Sequence, residues 1–489
     1  MSEVIRIVEK KNSLVTNSFF FVGYKLFNAL LPLITSAVIA RALLPEGVGL
    51  IAVAQNHVTY FTYIAALGLP VYGTREIARV RGNEKRDKVF SELFTINFIS
   101  SIACIIVYYI MTIIIVQVDL ERKLHLIFGI LIIFNIINVD WVYQGFEEYK
   151  YISIRSFVLK LLSFLATLVL VKNKDDILTY AVILCIGTVG NYIFNIINLV
   201  RRKIVHLQFS ELNLSRHMKP LMILFASSIS IELYTLVDTT MLGVMCPTNV
   251  IGYYTNAMKL VRATVVFFTA ISTVVAPQIS NRFGMNDFRG ISNLVSKVLG
   301  ALIAITIPAT LGMTLTSDYI MQCLFGASFA PASITLSILA MLLIPVTIST
   351  FFGSHVLCSI DHEKDMLYAT IAGAVSNIFL NVVLIHFYKQ NGAALASVIS
   401  EWIVVIVDFL FVIRIVKVQI DKKILSSVVM GSGVMTIFIL IMRMFDFSVF
   451  IKLVIIVMGA CIVYGMCMII MKNSLTNMML KKICSHRRR

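Results

Sequence analysis

Charged residues are scarce in this chain. Asp, Glu, Lys and Arg together make up 14% of its 489 residues, whereas 58% of the residues are hydrophobic. A soluble globular chain carries about 25% charged residues, because its whole surface faces water. The low charge therefore excludes a soluble enzyme or a soluble binding domain, and the composition is typical of an integral membrane protein.

Motifs for catalysis, metal binding and nucleotide hydrolysis are also absent. The eight cysteines form no CxxC pair and mostly lie inside apolar runs, which indicates buried thiols rather than metal ligands. The sequence has no glycine loop ending in GK[ST], no HExxH and no GxSxG with external partners. We therefore expect no cofactor, no metal site and no enzymatic activity. Any uphill transport would need an ion gradient rather than ATP.

Long apolar runs are what the sequence does contain. A helix needs about 20 apolar residues to cross the hydrocarbon core of a bilayer, and hydropathy indicates about fourteen such spans. They cover residues 14–40, 50–72, 89–117, 124–145, 152–171, 178–200, 220–245, 251–277, 293–316, 331–356, 366–388, 392–413, 424–443 and 449–471. The sequence thus predicts an all-α integral membrane protein with about fourteen transmembrane helices.

The basic residues predict how these spans are oriented. Of the 42 lysines and arginines, 30 flank the spans on one side, Lys150 and Arg155 among them, and 8 flank them on the other. The positive-inside rule then places both termini in the cytoplasm. The net charge of +16 is distributed between apolar runs. It therefore favours contact with anionic lipid headgroups over nucleic-acid binding.

A weak internal repeat divides the chain. The turn Pro45–Gly49 precedes the second span as Pro247–Gly252 precedes the eighth, and both spans end at a proline followed by an arginine-bearing loop. Six spans separate the two copies, so they share one orientation and predict two parallel lobes. The predicted segments are 1–200 as the N-lobe with helices 1–6, 201–219 as a cytoplasmic amphipathic linker in which an interfacial helix is expected, 220–417 as the C-lobe with helices 7–12, and 418–489 as helices 13 and 14 with a basic cytoplasmic tail.

Ionisable residues inside the spans are the candidates for function. A charge at mid-membrane costs about 2.5–3.5 kcal/mol on insertion scales, so it usually faces a polar cavity or pairs with another charge. The cations are Lys25, Lys160, Lys259 and Arg262, and the carboxylates are Asp140, Glu232, Asp238, Glu401 and Asp408. Lys25 and Arg262 lie deep in the leading hairpins of the two lobes, which favours a shared aqueous cavity. Lys160 and Asp408 lie nearer helix ends, where pairing or snorkelling is an equally good interpretation.

A cavity lined by cations favours an anionic substrate. Lysine and arginine bind phosphate and pyrophosphate groups through charge-assisted hydrogen bonds. The residues expected to contact substrate are Lys25, Lys259, Arg262 and Lys160. The carboxylates expected either to pair with cations or to exchange a coupling proton or sodium ion are Asp140, Glu232, Asp238 and Glu401.

Two stretches carry a resemblance to a known family. The run YKLFNALLPLITSAVIARALLPEGVGL from Tyr24 and the segment DWVYQGFEEYKYISIRSFVLKLLS from Asp140 resemble polysaccharide repeat-unit (O-antigen or capsule, Wzx-type) flippases of the MOP exporter superfamily. Segments of the second half, such as LYTLVDTTMLG from Leu233, are similar to that family as well. The resemblance covers nearly the whole chain except the last two spans.

The resemblance implies two six-helix lobes around a central cavity that opens alternately to either side of the bacterial cytoplasmic (inner) membrane. It also implies the substrate, an undecaprenyl-pyrophosphate-linked oligosaccharide that moves from the inner to the outer leaflet. Membrane lipids and polysaccharide assembly proteins are the implied partners.

Three alternatives stay open. An ion-coupled multidrug or cation exporter should have an acidic cavity, in contrast to the cations found here. A peptidoglycan-precursor flippase would share the fold. A membrane enzyme such as a glycan polymerase would need a long external loop, and the spacing of the spans leaves no room for one.

Overall fold

The structure is a computed structural model in which every described element is helical. It describes the backbone of residues 2–82, 85–208, 210–273, 275–471 and 473, and the side chains of these residues from 31 onward except 227, 228 and 230–235. No strand occurs in these ranges. Ten helical segments among them are long and apolar enough to cross a membrane. The expected all-α membrane architecture is therefore confirmed.

The described residues form seventeen α-helices. In chain order these are α1 (Ser2–Ala66), α2 (Leu69–Arg79), α3 (Arg86–Ile115), α4 (Asp119–Phe134), α5 (Asp140–Gly145), α6 (Tyr149–Leu170), α7 (Ile177–Arg201), α8 (Ser215–Met245), α9 (Thr248–Thr273), α10 (Ala276–Gly284), α11 (Phe288–Leu315), α12 (Ser317–Phe325), α13 (Ala332–Ala340), α14 (Leu343–Thr350), α15 (Glu363–Ile415), α16 (Lys422–Met444) and α17 (Val449–Ile470). The shorter elements are 3-10 turns at Asn135–Ile137, Lys174–Asp176, Ala327–Phe329 and Leu357–Ile360 and a π-helical turn at Phe351–Val356.

Two of the longest helices each hold two predicted spans. α1 contains a non-helical residue at Leu44 (φ 59°, ψ 173°), and α15 contains one at Lys389 (φ 51°, ψ −127°). Leu44 precedes Pro45, whose ring disfavours the α region for the residue before it. Each long helix is therefore two helices joined at a kink. Since α4 has 16 residues and falls short of the roughly 20 needed to span, the exact number of fourteen crossings stays a prediction.

The chain divides into two compact units, Met1–Gly243 and Val244–Arg489. In the N-terminal unit the core includes Leu93 and Trp141, and the ring of Phe90 stacks on Trp141 at 5.8 Å between centroids. In the C-terminal unit, α16 and α17 pack together and α16 packs on α11. The predicted segment boundaries at 200 and 220 stay a prediction.

Short helices replace the ends of several predicted spans. α1 stops just before Gly68, α2 carries Pro70 in its first turn, and α10 likewise carries Pro277. Proline lacks an N–H and is tolerated in a first turn, where that group has no helical partner. The predicted span 124–145 is interrupted by the 3-10 turn Asn135–Ile137, so α5 is a separate helix.

The prediction of an interfacial helix within 201–219 is wrong, because the described residues between α7 and α8 form no helix. The backbone N–H of Gln208 donates to Ser91 Oγ at 2.8 Å, and that of Asn213 donates to Glu92 Oε1 at 2.8 Å. Both acceptors belong to α3. These tertiary hydrogen bonds take the place of the helical ones, so the amphipathic pattern marks a docked linker.

Asp287 caps the start of α11. Its Oδ1 accepts a hydrogen bond from the backbone N–H of Gly290 at 2.8 Å, and its Oδ2 accepts one from Arg282 Nη1 at 2.5 Å. The Gly290 hydrogen bond, with a further contribution from Arg282, lowers the pKa of Asp287. The carboxylate form that caps the helix is therefore retained at neutral pH.

The turn between α1 and α2 depends on a glycine. Gly68 has φ +75°, and a Cβ built there would lie 2.7 Å from the backbone nitrogen of Phe225. Gly68→Ala is therefore expected to lower the thermal unfolding midpoint of the detergent-purified protein, because a left-handed alanine costs about 1–2 kcal/mol even before the clash. Gly433→Ala in α16 is the control, since no atom lies within 4 Å of its added methyl group. An unchanged midpoint for Gly68→Ala would contradict this account of the turn.

Candidate functional site

Asp140 and Arg155 form an ion pair inside the N-terminal unit. Asp140 begins α5 and Arg155 lies on α6, with Arg155 Nη2 3.2 Å from Asp140 Oδ1. Asn195 of α7 donates a hydrogen bond to the same carboxylate oxygen. The Arg155 side chain is 7% exposed and that of Asp140 is 33% exposed. The carboxylate is therefore accessible, while the guanidinium lies behind it.

Asn191 and Tyr151 hold the other side of the guanidinium. Arg155 Nε donates to Asn191 Oδ1 at 3.0 Å, and the ring centroid of Tyr151 lies 5.7 Å from the guanidinium carbon. Ser156 Oγ donates to the same Asn191 oxygen at 3.1 Å. Asn191 Nδ2 donates in turn to the carbonyl of Gly187 at 2.7 Å, which fixes the orientation of the amide. The cation is thus positioned by α5, α6 and α7 together.

Two buried atoms of this cluster have no hydrogen-bond partner among the described residues, Arg155 Nη1 and Asn195 Oδ1. A buried polar group left unpaired costs about 1–3 kcal/mol. The accessible carboxylate of Asp140 can accept a hydrogen bond from a hydroxyl group. Because the charges of Asp140 and Arg155 cancel, the cluster fits a neutral hydroxylated ligand better than a phosphate.

In the C-terminal unit, α9 carries two cations near its middle. Lys259 and Arg262 are both exposed and lie three residues apart, so they share one face of the helix. Lys259 Nζ donates to Asn256 Oδ1 at 3.4 Å, and Asn256 is fully buried. Lipid would disfavour both charges, so these cations need polar groups or water around them.

The C-terminal unit also contains an apolar cavity of about 480 Å³. It is lined by α11, α12, α16 and α17, with Ile305, Pro308, Ile320, Met435 and Ile456 among the lining residues. Each methylene group transferred from water into such a space contributes about 0.8 kcal/mol. The cavity can therefore hold a segment of a hydrocarbon chain.

A buried carboxylate that the sequence analysis did not single out is Glu92 of α3. It is fully buried, it accepts a hydrogen bond from Arg216, and its Oε2 lies 3.0 Å from Nε2 of His217. Nδ1 of the same histidine lies 2.9 Å from the hydroxyl of Tyr72. The network ties α2, α3 and the start of α8 together. Its groups are satisfied by one another, which indicates a structural role.

Comparison with known proteins identifies the family. The sequence model described as "Polysaccharide biosynthesis protein" matches residues 14–283, and the model described as "MatE" matches residues 224–383. The first match spans more than half of the chain. The chain belongs to the polysaccharide biosynthesis protein family.

Individual relatives of this polysaccharide biosynthesis protein point the same way. It is 25% identical over 412 residues to "Putative O-antigen transporter" of Escherichia coli (strain K12), covering 82% of this chain and 97% of the relative. It is 30% identical over 174 residues to "Probable low-salt glycan biosynthesis flippase Agl15" of Haloferax volcanii, covering 36% and 37%. The solved structure "Lipid II flippase MurJ, inward closed conformation" matches with a TM-score of 0.78 at 19% identity, covering 94% of this chain and 99% of that one. That likeness shows a shared fold.

The other residues predicted for the site are distributed over both units of this family member. Lys25 and Glu232 lie outside the described side chains. Lys160 is half-buried on α6, and Asp238 is buried on α8. Glu401 on α15 accepts a hydrogen bond from a serine of α14 at 3.3 Å. The substrate-binding and ion-coupling roles of these residues stay a prediction.

The sequence analysis counted Arg155 among the basic residues that flank the spans, but the structure places it within α6. It is buried within α6, because the carboxylate of Asp140 and the amide of Asn191 replace the water that a flanking arginine would need. The signal was present in the sequence as a carboxylate at the end of one apolar span and an arginine at the start of the next. Charge counting alone assigned the arginine to orientation.

A double-mutant cycle measures the Asp140–Arg155 pair. Asp140→Ala leaves a buried guanidinium without its counter-charge and is expected to cost about 2 kcal/mol, somewhat less than a fully buried pair, because the carboxylate is a third exposed. Adding Arg155→Met should recover part of that loss. The exposed pair Asp119–Lys123, at 2.7 Å, is the control and should show no measurable coupling. Equal coupling in the two cycles, measured by thermal unfolding in detergent, would contradict the assignment.

Proposed function

We propose that this protein is a flippase that moves undecaprenyl-pyrophosphate-linked oligosaccharide repeat units from the inner to the outer leaflet of the cytoplasmic membrane. It works by alternating access, with both termini in the cytoplasm, and supplies surface polysaccharide assembly. It catalyses no covalent step. The observation that carries the proposal is the pair of exposed cations at the middle of α9 in a member of this family.

Lys259 and Arg262 suit the pyrophosphate. A diphosphate carries at least two negative charges and several acceptor oxygens, and an ammonium and a guanidinium on one helix face supply matching donors. Such hydrogen bonds are strengthened where water is scarce. We assign the two residues to the headgroup, and the predicted cations Lys25 and Lys160 to the same class of contact.

The neutral cluster of Asp140, Arg155 and Asn195 suits the sugars. Its accessible carboxylate accepts hydrogen bonds from hydroxyl groups, and the buried guanidinium of Arg155 holds that carboxylate in place. The aromatic ring of Tyr151 next to the guanidinium adds an apolar surface of the kind that packs against a sugar ring.

The apolar cavity between α11, α12, α16 and α17 suits part of the polyprenyl chain. Its lining is almost entirely hydrocarbon, so it offers the lipid an environment similar to the bilayer. Membrane lipids are the natural competitors for this cavity.

A proton or sodium gradient and polysaccharide assembly proteins are the further partners that we propose.

The rival functions differ in substrate. A multidrug exporter is favoured by the "MatE" match to residues 224–383, but the exposed cations of α9 would repel an organic cation.

Deletion of the gene separates the possibilities. Our proposal expects loss of surface polysaccharide and accumulation of lipid-linked repeat units on the inner leaflet. Drug hypersensitivity with normal surface glycan would establish the exporter instead, and arrest of cell-wall synthesis would establish a peptidoglycan-precursor flippase.

Substitution of the α9 cations tests the headgroup assignment. Lys259→Ala and Arg262→Ala should each lower repeat-unit translocation in reconstituted vesicles by about tenfold to a hundredfold, because a charge-assisted hydrogen bond contributes about 1.5–3 kcal/mol. Lys259→Arg should retain most of the activity. Lys417→Ala, an exposed lysine just after α15, is the control for loss of positive charge. Full activity of both alanine variants at normal expression would remove these residues from the site.

A further inference from the structure

Asp408 is a buried carboxylate that the proposed site does not use. It lies on the second arm of α15, is 1% exposed, and its Oδ1 has no hydrogen-bond partner among the described residues. No described lysine, arginine or histidine forms an ion pair with it. By contrast, the carboxylates of Glu92 and Asp140 each form an ion pair with an arginine.

The packing around Asp408 is close and mostly apolar. Its Oδ2 lies next to Gly353 on the π-helical turn, where a Cβ would come within 3.4 Å of that oxygen. The side chain of Met366 approaches the same Cβ position, with its Cγ at 2.9 Å. Phe352, beside Gly353, packs its ring on that of Phe409 at 5.9 Å between centroids. The carboxyl group therefore sits against backbone and hydrocarbon.

The titratable groups on the neighbouring elements add no stabilising counter-charge. Glu401 lies on the same helix two turns earlier, and its charge opposes that of Asp408. Cys358 on the 3-10 turn also interacts electrostatically with Asp408, again with a sign that disfavours a second negative charge. His355 stands on the π-helical turn, and α9, which also packs on α15, carries Lys259 and Arg262. These three groups form no ion pair with Asp408.

An ionised carboxylate in this position would be strongly disfavoured. Burial of a charge without a counter-charge or hydrogen bond costs far more than burial of the neutral acid, and a nearby carboxylate raises that cost. The described residues contain no group of three His, Cys, Asp or Glu side chains placed to hold a metal ion. A proton needs one oxygen.

We propose that Asp408, with Glu401 as its neighbour, is a proton-exchange site of the C-terminal unit. In the present conformation the carboxyl group of Asp408 holds its proton. When the π-helical turn Phe351–Val356 moves away, the O–H bond breaks, the proton passes to water and the carboxylate is solvated. In the reverse step, a proton from water binds to the carboxylate again and the turn closes over the neutral acid.

The position of the site supports this cycle. α14 changes to a π-helical turn, then to a 3-10 turn, and Asp361 follows in the left-handed region (φ 61°). Such irregular turns lack the regular i→i−4 hydrogen-bond pattern and often occur at functional positions. Asp408 lies next to Gly353 within this turn, and Glu401 accepts a hydrogen bond at 3.3 Å from Ser349, two residues before the turn begins. As a source of coupling to a gradient, the site rests on the proposed flippase function, but proton binding itself does not.

Infrared spectroscopy tests proton binding on the full-length protein. The purified protein at neutral pH should show the carbonyl stretch of a protonated carboxylic acid, and this band should disappear in Asp408→Asn. Glu363→Gln, an exposed carboxylate on the same helix, is the control and should leave the band unchanged. Asp408→Glu should shift the band, and it keeps the test decisive if Asp408→Asn fails to fold. Absence of the band in the wild type, or its persistence in Asp408→Asn, would overturn the proposal.

Two further measurements separate the possible outcomes. The band should be the same in sodium and potassium buffers, and its loss on addition of sodium would overturn the proton in favour of a sodium ion. In reconstituted vesicles, stimulation of translocation by a pH gradient should be lost in Asp408→Asn and kept in Glu363→Gln. Stimulation equal to wild type in Asp408→Asn would overturn the exchange role. If the wild type translocates no lipid-linked oligosaccharide, the flippase proposal fails, and the infrared result still decides the proton site.

Discussion

The bilayer offers no water to a buried charge, and this constraint governs the polar architecture of the molecule. Each ionisable group inside a span needs a counter-charge, hydrogen bonds, a polar space or the loss of its charge. Asp140 has Arg155 and Asn195, and Glu92 has Arg216 and the linker backbone. The two charged networks also join helices that are far apart in sequence. The same contacts therefore neutralise the buried charges and hold the helices together.

Much of the fold follows from hydropathy. The apolar runs predicted all the long helices, and the turn before Pro45 was visible in the sequence as a break between two runs. Interruptions within runs were harder to predict, because they depend on tertiary hydrogen bonds. The irregular linker is an example: its amphipathic pattern fits a helix, but Ser91 and Glu92 bind its backbone. Local sequence did not contain the competing partner, which lies more than a hundred residues away.

The candidate site was only partly predictable for a similar reason. Lys259 and Arg262 could be singled out because they interrupt an apolar run three residues apart on one helix. Arg155 could not, since an arginine near the start of a span has the same sequence signature whether it anchors the helix in the headgroups or is buried against a carboxylate. Only the approach of α5 and α7 to α6 distinguishes these cases. Charge counts therefore predict an orientation, but they do not assign roles to individual residues.

What a buried carboxylate does is decided by its partners more than by its position in a span. Asp140 and Asp408 are both aspartates within predicted apolar spans. The first faces a guanidinium and an amide; the second faces a glycine, a methionine and another carboxylate. An anion that is permanently paired can hold helices and meet hydroxyl groups, but it cannot carry protons without breaking its pair. In a chain with no nucleotide-binding motif, the unpaired acid is therefore the group whose charge can change at the lowest structural cost.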